Sequence, residues 1–197
     1  MKKTLRFSRP ELMSVFKNAL GTIHSAVEVG TYQGEFAKVM INKLQPTVFH
    51  AVDPLRLFPG MNSNPGSEFE SQDKLDALAV RVANKLADSN AVFIRDISEE
   101  ASKQFEDDSL DVVYLDGDHS YKGCAADISY WYPKIRKGGI LAGHDYCEGN
   151  KAKGHVYGVI QAVDELVEAH NLNLWITSEA YASWFVFKDN KVSVIED

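Results

Sequence analysis

Short apolar runs alternate along the first two thirds of the chain with segments whose apolar positions recur at the spacing of a helix face. The short runs have the length and composition of buried strands and lie at residues 25–29, 47–52, 91–94, 111–115 and 139–142. Strands that alternate with helices are typical of a parallel sheet covered by helices on both faces. We therefore predict an α/β fold with a mainly parallel sheet.

The two ends of the chain depart from this alternation. Residues 1–22 are predicted to form an N-terminal covering helix, because Ser8 and Glu11 have the spacing of a capping box and Gly21 follows the last apolar position. Near the other end, strand patterns with no helix between them occupy residues 172–176, 184–188 and 191–195. We expect the sheet to finish with antiparallel strands there.

No repeat, low-complexity tract or linker divides the chain, so residues 1–197 are predicted to form a single domain. One segment stands apart. Residues 54–67 are rich in Pro, Gly and Asn and directly follow the second predicted strand. A loop of this length is either a lid over a functional site or disordered, and the sequence leaves both open.

Composition narrows the class of protein. The chain has 45% hydrophobic and 25% charged residues and a formal net charge of −7, which argues against a partner bound through a phosphate backbone, such as a nucleic acid. No apolar run approaches the ~18 residues of a membrane span, and the first residues lack the apolar core of a signal peptide. We expect a cytoplasmic protein with no membrane partner. Nothing excludes a homo-oligomer, and Cys124 and Cys147 are expected to be reduced thiols.

The stretch from Val27 to Gly34 is the most informative part of the sequence. A strand that ends in Gly30 and turns through Gly34 into a helix brings backbone N–H groups close to a ligand, as nucleotide-type sites require. The alternative is that the two glycines only make a tight turn. Their spacing differs from the Gly-x-Gly-x-x-Gly pattern of dinucleotide sites, which disfavours a pyrophosphate ligand.

Two later segments extend this interpretation. Asp53 ends the second predicted strand, where a carboxylate can accept hydrogen bonds from both hydroxyls of a ribose; it could otherwise just begin an Asp-Pro turn. Residues 95–98 follow the third strand and could reach an adenine amino group, or Asp96 or Ser98 could cap the next helix.

A second polar cluster follows the fourth and fifth predicted strands. Asp116, Asp118 and His119 come after one, and His144-Asp145 after the other. Adjacent parallel strands bring these residues to one edge of the sheet. Two carboxylates and an imidazole suit a divalent cation such as Mg²⁺, Mn²⁺ or Zn²⁺. The alternatives are that Asp118, as we favour, caps a helix beginning at Ser120, and that His119 only packs against a tyrosine.

Taken together, the motifs at 27–34, Asp53, 95–98, 115–121 and 137–140 resemble those of class I S-adenosylmethionine-dependent methyltransferases. The resemblance implies a Rossmann-like three-layer sandwich with seven strands in the order 3-2-1-4-5-7-6, strand 7 antiparallel, and S-adenosylmethionine as cofactor. It implies that Glu28 lies near the methionine part, Asp53 holds the ribose, and Asp96 or Ile97 contacts adenine. The remaining implied cofactor-binding residues are Gly30, Tyr32, Gly34 and Asp116.

The chain is also similar to the small metal-assisted O-methyltransferases that act on catechol or caffeoyl-CoA. Their pattern has a metal-binding Asp at position 116, a basic residue three positions later, here His119, and an Asp-Asn pair that is His144-Asp145 here. This similarity implies methyl transfer to a hydroxyl group of a small molecule, with Asp116 and His119 as catalytic residues. Asp116, His144 and Asp145 are the implied metal ligands. A non-catalytic S-adenosylmethionine-binding protein, or another reaction on the same scaffold, is the alternative.

Overall fold

The computed structural model describes residues 2–58, 67–149 and 157–189. Its strands are β1 (Lys2–Leu5), β2 (Ser25–Val29), β3 (Val48–Val52), β4 (Ala91–Ile94), β5 (Leu110–Leu115), β6 (Ile135–Gly143), β7 (Leu174–Thr177) and β8 (Trp184–Phe187). The helices are α1 (Arg9–Leu20), α2 (Glu35–Leu44), α3 (Gln72–Leu86), α4 (Ser98–Ser102), α5 (Tyr121–Trp131) and α6 (Val159–His170). A single 3₁₀ turn at Glu68–Glu70 precedes α3.

All eight strands form one sheet in the order β1-β7-β8-β6-β5-β2-β3-β4. The pairs among β2 to β6 are parallel, whereas β8 is antiparallel to both β6 and β7. The predicted α/β fold with a mainly parallel sheet and an antiparallel end is therefore confirmed.

The predicted number of strands is wrong, because the described residues alone form a sheet of eight strands rather than seven. The additional strand, β1, pairs in parallel with β7 at one edge, so the full strand order differs from 3-2-1-4-5-7-6 by this addition. The other seven strands keep the predicted neighbours. Only Leu5 is buried in β1, and so short an edge strand leaves no clear alternation in the sequence. The segment 1–22 thus contains a strand before its helix.

Helix α1 begins where the capping box predicts. The backbone N–H of Ser8 donates to the Glu11 carboxylate at 2.8 Å, and Gly21 ends the helix at a φ of +69°. A similar cap begins α5, where the Ser120 hydroxyl accepts from the Gly123 N–H at 3.1 Å. Both helices therefore start at residues that the local sequence specifies.

Two apolar layers cover the sheet. One face packs against α1, α2 and α3 through residues such as Phe16, Met40 and Leu78. The other face packs against α5 and α6 through residues such as Trp131 and Val163. This arrangement is the three-layer sandwich that the sequence predicts, and it leaves the carboxyl ends of the parallel strands open for a site.

Two expectations lie outside the described residues: the strand at 191–195 and most of the loop at 54–67. Within the described residues, no helix is long and apolar enough to cross a membrane. Both cysteines are free thiols.

Candidate active site

A cleft of about 670 Å³ opens at the carboxyl ends of β2, β3, β4 and β5. Six of the residues that the sequence predicts for the site line it: Gly30, Tyr32, Asp53, Ile97, Asp116 and His119. Glu28, Gly34 and Asp96 are not among the lining residues, and neither are His144 and Asp145. The sheet edge therefore collects most of the predicted residues in one cavity.

Gly30 forms the tightest part of the turn after β2. Its φ is +89°, and a Cβ at this position would lie 2.2 Å from the carbonyl oxygen of Asp116. The N–H groups of Gly30 and Thr31 both donate to the Val52 carbonyl. The absence of a side chain at Gly30 therefore allows the ends of β2 and β5 to approach. Gly34 also has a positive φ, but its missing Cβ faces the side chains of Lys85 and Val82.

Asp53 connects two loops at the mouth of the cleft. One carboxylate oxygen accepts a hydrogen bond from the Tyr32 N–H at 2.7 Å and the other from the Leu55 N–H at 2.9 Å. Burial raises the pKa of Asp53, and these two bonds oppose the shift. A carboxylate has about four acceptor positions, so it can still accept from a ligand in the cleft. The Tyr32 ring stacks on Phe69 with centroids 5.8 Å apart and forms an aromatic wall beside it.

Glu28 lies beneath the cleft and is 1% exposed. Its carboxyl accepts a hydrogen bond from the Thr31 hydroxyl at 2.9 Å. Burial raises the pKa of Glu28 to about 8, although the bond from Thr31 opposes the shift. The side chain is consequently mostly protonated at neutral pH and supports the Gly30 turn from below.

The segment after β4 contributes an apolar side chain and a hydroxyl group to the lining of the cleft, but no carboxylate. Asp96 accepts a hydrogen bond from the N–H of its neighbour Ile97 at 2.8 Å, and only Ile97 and Ser98 of this segment line the cleft. The carboxylate on this side comes instead from Asp127 on α5, which sequence reasoning missed. No local signal in the sequence distinguishes a cleft-facing Asp on this helix from a surface one.

Arg9 is a second residue that sequence reasoning missed. From the start of α1, its guanidinium lies 2.6 Å from the Asp116 carboxylate and 3.5 Å from the centre of the Phe36 ring. Burial raises the pKa of Asp116, and the positive charge of Arg9 partly opposes this shift. A contact across 107 positions leaves no signal in the local pattern.

Three potential metal ligands, Asp116, His144 and Asp145, form a compact donor cluster beside the cleft, where a donor is an atom that could bind a metal ion. One ligand atom from each lies within 4.8 Å of the others. The Nδ1 atom of His144 is 3.4 Å from Oδ1 of Asp145 and 3.7 Å from Oδ1 of Asp116. Two carboxylates and an imidazole fit a divalent cation, and Arg9 leaves Oδ1 of Asp116 available because it binds Oδ2.

The backbone and charge of Asp145 are both unusual. Its φ is +58°, a left-handed conformation that non-glycine residues rarely adopt, and the side chain is buried. Burial would raise the pKa of Asp145, but the hydrogen bond and charge of His144, with the charges of His119 and Arg9, outweigh it and lower the pKa. Asp145 is therefore ionised at neutral pH, as a metal ligand must be.

His119 connects the cluster to the cleft. Its Nδ1 atom lies 3.2 Å from Oδ2 of Asp145, and its ring centre is 4.9 Å from that of Tyr157. The neighbouring Asp118 accepts a hydrogen bond from the Ser120 N–H at 2.8 Å, but the N-cap of α5 is Ser120, whose hydroxyl accepts from the Gly123 N–H. The expected capping of this helix by Asp118 is therefore wrong. His119 therefore lines the cleft, contacts Asp145 and packs against a tyrosine, as the sequence allowed.

The sequence matches a known family. Residues 27–146, more than half of the chain, match a family model described as a methyltransferase domain. A segment of 67 residues is 34% identical to an uncharacterized protein of Sinorhizobium fredii. That segment is 34% of this chain, and the chain spans only 7% of the length of that relative.

Solved structures show the same fold at low sequence identity. The N-methyltransferase NodS of Bradyrhizobium japonicum, in complex with S-adenosylhomocysteine, is 12% identical; the match covers 92% of this chain and 86% of that one, with a TM-score of 0.63. An O-methyltransferase of Bacillus cereus, also with S-adenosylhomocysteine, is 13% identical, with coverages of 92% and 82% and a TM-score of 0.60. Spermidine synthase of Thermotoga maritima is 9% identical, with coverages of 92% and 60% and a TM-score of 0.58.

These comparisons confirm the resemblance drawn from the sequence motifs. The family match includes the Gly30 turn, Asp53 and the polar cluster up to Asp145. The structural matches each cover 92% of this chain. The chain belongs to this methyltransferase family, and its fold is that of the class I S-adenosylmethionine-dependent methyltransferases.

Proposed function

We propose that the protein transfers a methyl group from S-adenosylmethionine to a hydroxyl oxygen of a small molecule, with a divalent cation bound by Asp116, His144 and Asp145. The observation that carries the proposal is the position of His119. It lines the cleft and lies 3.2 Å from Asp145, so the proposed base is next to the proposed metal ligands. An acceptor hydroxyl there would be next to both.

The cofactor would occupy the cleft along the strand ends. Asp53 would accept hydrogen bonds from the ribose hydroxyls, and the backbone of the Gly30 turn, with Tyr32, would lie against the methionine part. Ile97 would contact the adenine ring. Glu28, Gly34 and Asp96 would act by supporting the turns that carry these groups, because they do not line the cleft.

The reaction would break the bond between the methyl carbon and the sulfonium sulfur as the acceptor oxygen forms a bond to the same carbon. The acceptor proton would pass to His119. Because Nδ1 of His119 faces the Asp145 carboxylate, Nε2 is the nitrogen that can accept the proton. Asp145 would also stabilise the imidazolium that forms. A divalent cation, when bound, would lower the pKa of the acceptor hydroxyl.

Oxygen is proposed as the acceptor atom because a donor cluster beside a base suits a hydroxyl whose proton must leave. The O-methyltransferase of Bacillus cereus shares this fold, but so do an N-methyltransferase and a spermidine synthase. Amines are therefore the competing acceptor class. We expect a small-molecule acceptor rather than a nucleic acid, because the formal net charge is −7.

Transfer of a radioactive methyl group from S-adenosylmethionine to a panel of catechols, sugar alcohols and amines tests the proposal. Each acceptor is assayed with Mg²⁺, Mn²⁺ or Zn²⁺ and again after exhaustive chelation. We expect methylation of hydroxyl acceptors that chelation abolishes. Methylation of amines alone, or turnover that survives chelation with no metal detected by elemental analysis, would contradict the oxygen acceptor or the metal respectively.

A further inference from the structure

Asp127 is a buried carboxyl in the cleft that the proposed methyl transfer does not use. It lies on α5, is 8% exposed and lines the same part of the cavity as Ile97 and Ser98. A buried carboxyl is costly unless a donor satisfies it. Its contacts therefore indicate what the cavity is built to hold.

A chain of hydrogen bonds fixes the position of this carboxyl. The indole N–H of Trp131 donates to the Ser98 hydroxyl oxygen at 2.8 Å, which directs the hydroxyl proton to Asp127. On the opposite side is Gly117, where a Cβ would lie 3.3 Å from Oδ2 of Asp127. Ser98 thus holds the carboxyl, and the small residue at 117 leaves it space.

The charged groups that act on Asp127 do not offset the negative charge of its carboxylate. Burial raises the pKa of Asp127 to about 6, and the nearby charge that acts on it, Asp118, is also negative. No ion pair joins Asp127 to a basic side chain among residues 2–58, 67–149 and 157–189. Among the described residues, the Ser98 hydroxyl is the hydrogen-bond donor that acts on Asp127. A carboxylate has about four acceptor positions, so Asp127, which lines the cleft, can still accept from a ligand there.

We propose that Asp127 accepts a hydrogen bond from the exocyclic amino group of the cofactor's adenine and so selects adenine over other purines. The inference rests on the proposed binding of S-adenosylmethionine. That cofactor has three groups of donors: the ribose hydroxyls, the α-amino group and the adenine amino group. In the proposed binding, Asp53 takes the ribose hydroxyls and the Gly30 turn lies against the methionine part with its α-amino group, which leaves the adenine amino group for Asp127. The apolar side chains of Val52 and Ile97 line the cleft and suit a planar base.

Two ligands test the proposal by calorimetry: S-adenosylhomocysteine and its analogue with purine in place of adenine, which lacks only the amino group. The parent protein should bind the purine analogue about ten- to hundredfold more weakly, as expected when a hydrogen bond to a charged group is lost. In Asp127→Ala the two ligands should bind with equal affinity. In Asp127→Asn, which keeps a neutral acceptor, the ratio of the two affinities should lie between these values.

Asp88→Ala is the matched control, because this exposed carboxylate does not line the cleft and should leave the parental ratio unchanged. Equal binding of the two ligands by the parent would overturn the proposal without any variant. If Asp127→Ala kept the parent's ratio of the two ligand affinities, the amino group would be bound by another residue. Asp127→Asn gives the same test should the alanine variant fail to fold. If the parent bound neither ligand, the proposed function itself would fail.

Discussion

The guanidinium of Arg9 lies 2.6 Å from the carboxylate of Asp116, and this contact connects the first helix to the edge of the sheet where the site lies. Roughly a fifth of each side chain is exposed, so the pair is mostly screened from water. Arg9 is the basic side chain that neutralises Asp116 in the structure. It also limits how Asp116 can bind a cation, because one of the two carboxylate oxygens is already occupied.

Replacing Arg9 by Ala should destabilise the protein. The change leaves the Asp116 carboxylate without its partner and removes the cation from the Phe36 ring. We expect the free energy of unfolding to fall by roughly 2–4 kcal/mol, somewhat less than for a fully buried pair. Denaturant unfolding measures it, with Arg6→Ala as control because Arg6 is exposed. A loss no larger than that of Arg6→Ala would show that the pair contributes nothing.

Glu28 should make stability depend on pH. Its pKa is raised from a usual 4.5 to about 8 in the folded protein, so the folded state holds the proton more tightly than the unfolded one. The stabilisation is complete below pH 4.5 and is lost as pH rises toward 8. Relative to the parent, Glu28→Gln should therefore gain stability with pH over this range, by up to about 1.4 kcal/mol per pH unit. Unfolding experiments on both proteins from pH 4 to 9 measure the difference, and a constant difference would mean that folding does not raise the pKa of Glu28.

Gly30 and Gly21 form a matched pair for testing the close approach in the site. Both have a positive φ, but a Cβ at Gly21 meets nothing within 4 Å, whereas one at Gly30 meets the backbone of Asp116 and Gly117. Gly21→Ala should lose only the roughly 1–2 kcal/mol of a left-handed side chain. Gly30→Ala should lose about 2–5 kcal/mol, because the backbone must also move. Similar losses in the two variants would contradict the described turn.

Two variants should distinguish the residues that bind the metal from the residue that accepts the proton. Asp145→Ala removes a member of the donor cluster and should abolish Mn²⁺ binding, whereas His119→Ala should retain it, because His119 is not part of that cluster. On a hydroxyl acceptor, His119→Ala should lose ~10²–10⁴-fold in rate and partly recover at higher pH. Calorimetry with Mn²⁺ and initial rates measure the two effects. If His119→Ala also lost the metal, its role would be that of a ligand rather than a base.

Local sequence signals predicted the parts of the fold and site that depend on neighbouring residues. The cap at Ser8, the turn at Gly30 and the strand end at Asp53 each follow from a few adjacent residue types. The order of parallel strands then brought Asp116, His119 and Asp145 together without knowledge of side-chain contacts. The resemblance to a known family supplied the rest of the strand order.

The sequence did not reveal what depends on distant contacts. Strand β1 is defined by its pairing with β7, more than 160 positions away, and only Leu5 is buried in it. Arg9 reaches Asp116 across 107 positions. Whether a polar side chain such as Asp127 faces the cleft or solvent is decided by the packing of α5 against the sheet, which no local pattern records.

Binding of S-adenosylhomocysteine tests the central claim most directly, and calorimetry on the parent, Asp53→Ala and Asp88→Ala is the measurement. Asp88 is exposed and does not line the cleft, so it controls for the loss of a surface carboxylate. We predict that the parent and Asp88→Ala bind the ligand with equal affinity, and that Asp53→Ala binds it about ten- to hundredfold more weakly, because the ribose loses a charged acceptor. No binding by the parent, or undiminished binding by Asp53→Ala, would contradict the assignment of this cleft as the cofactor site.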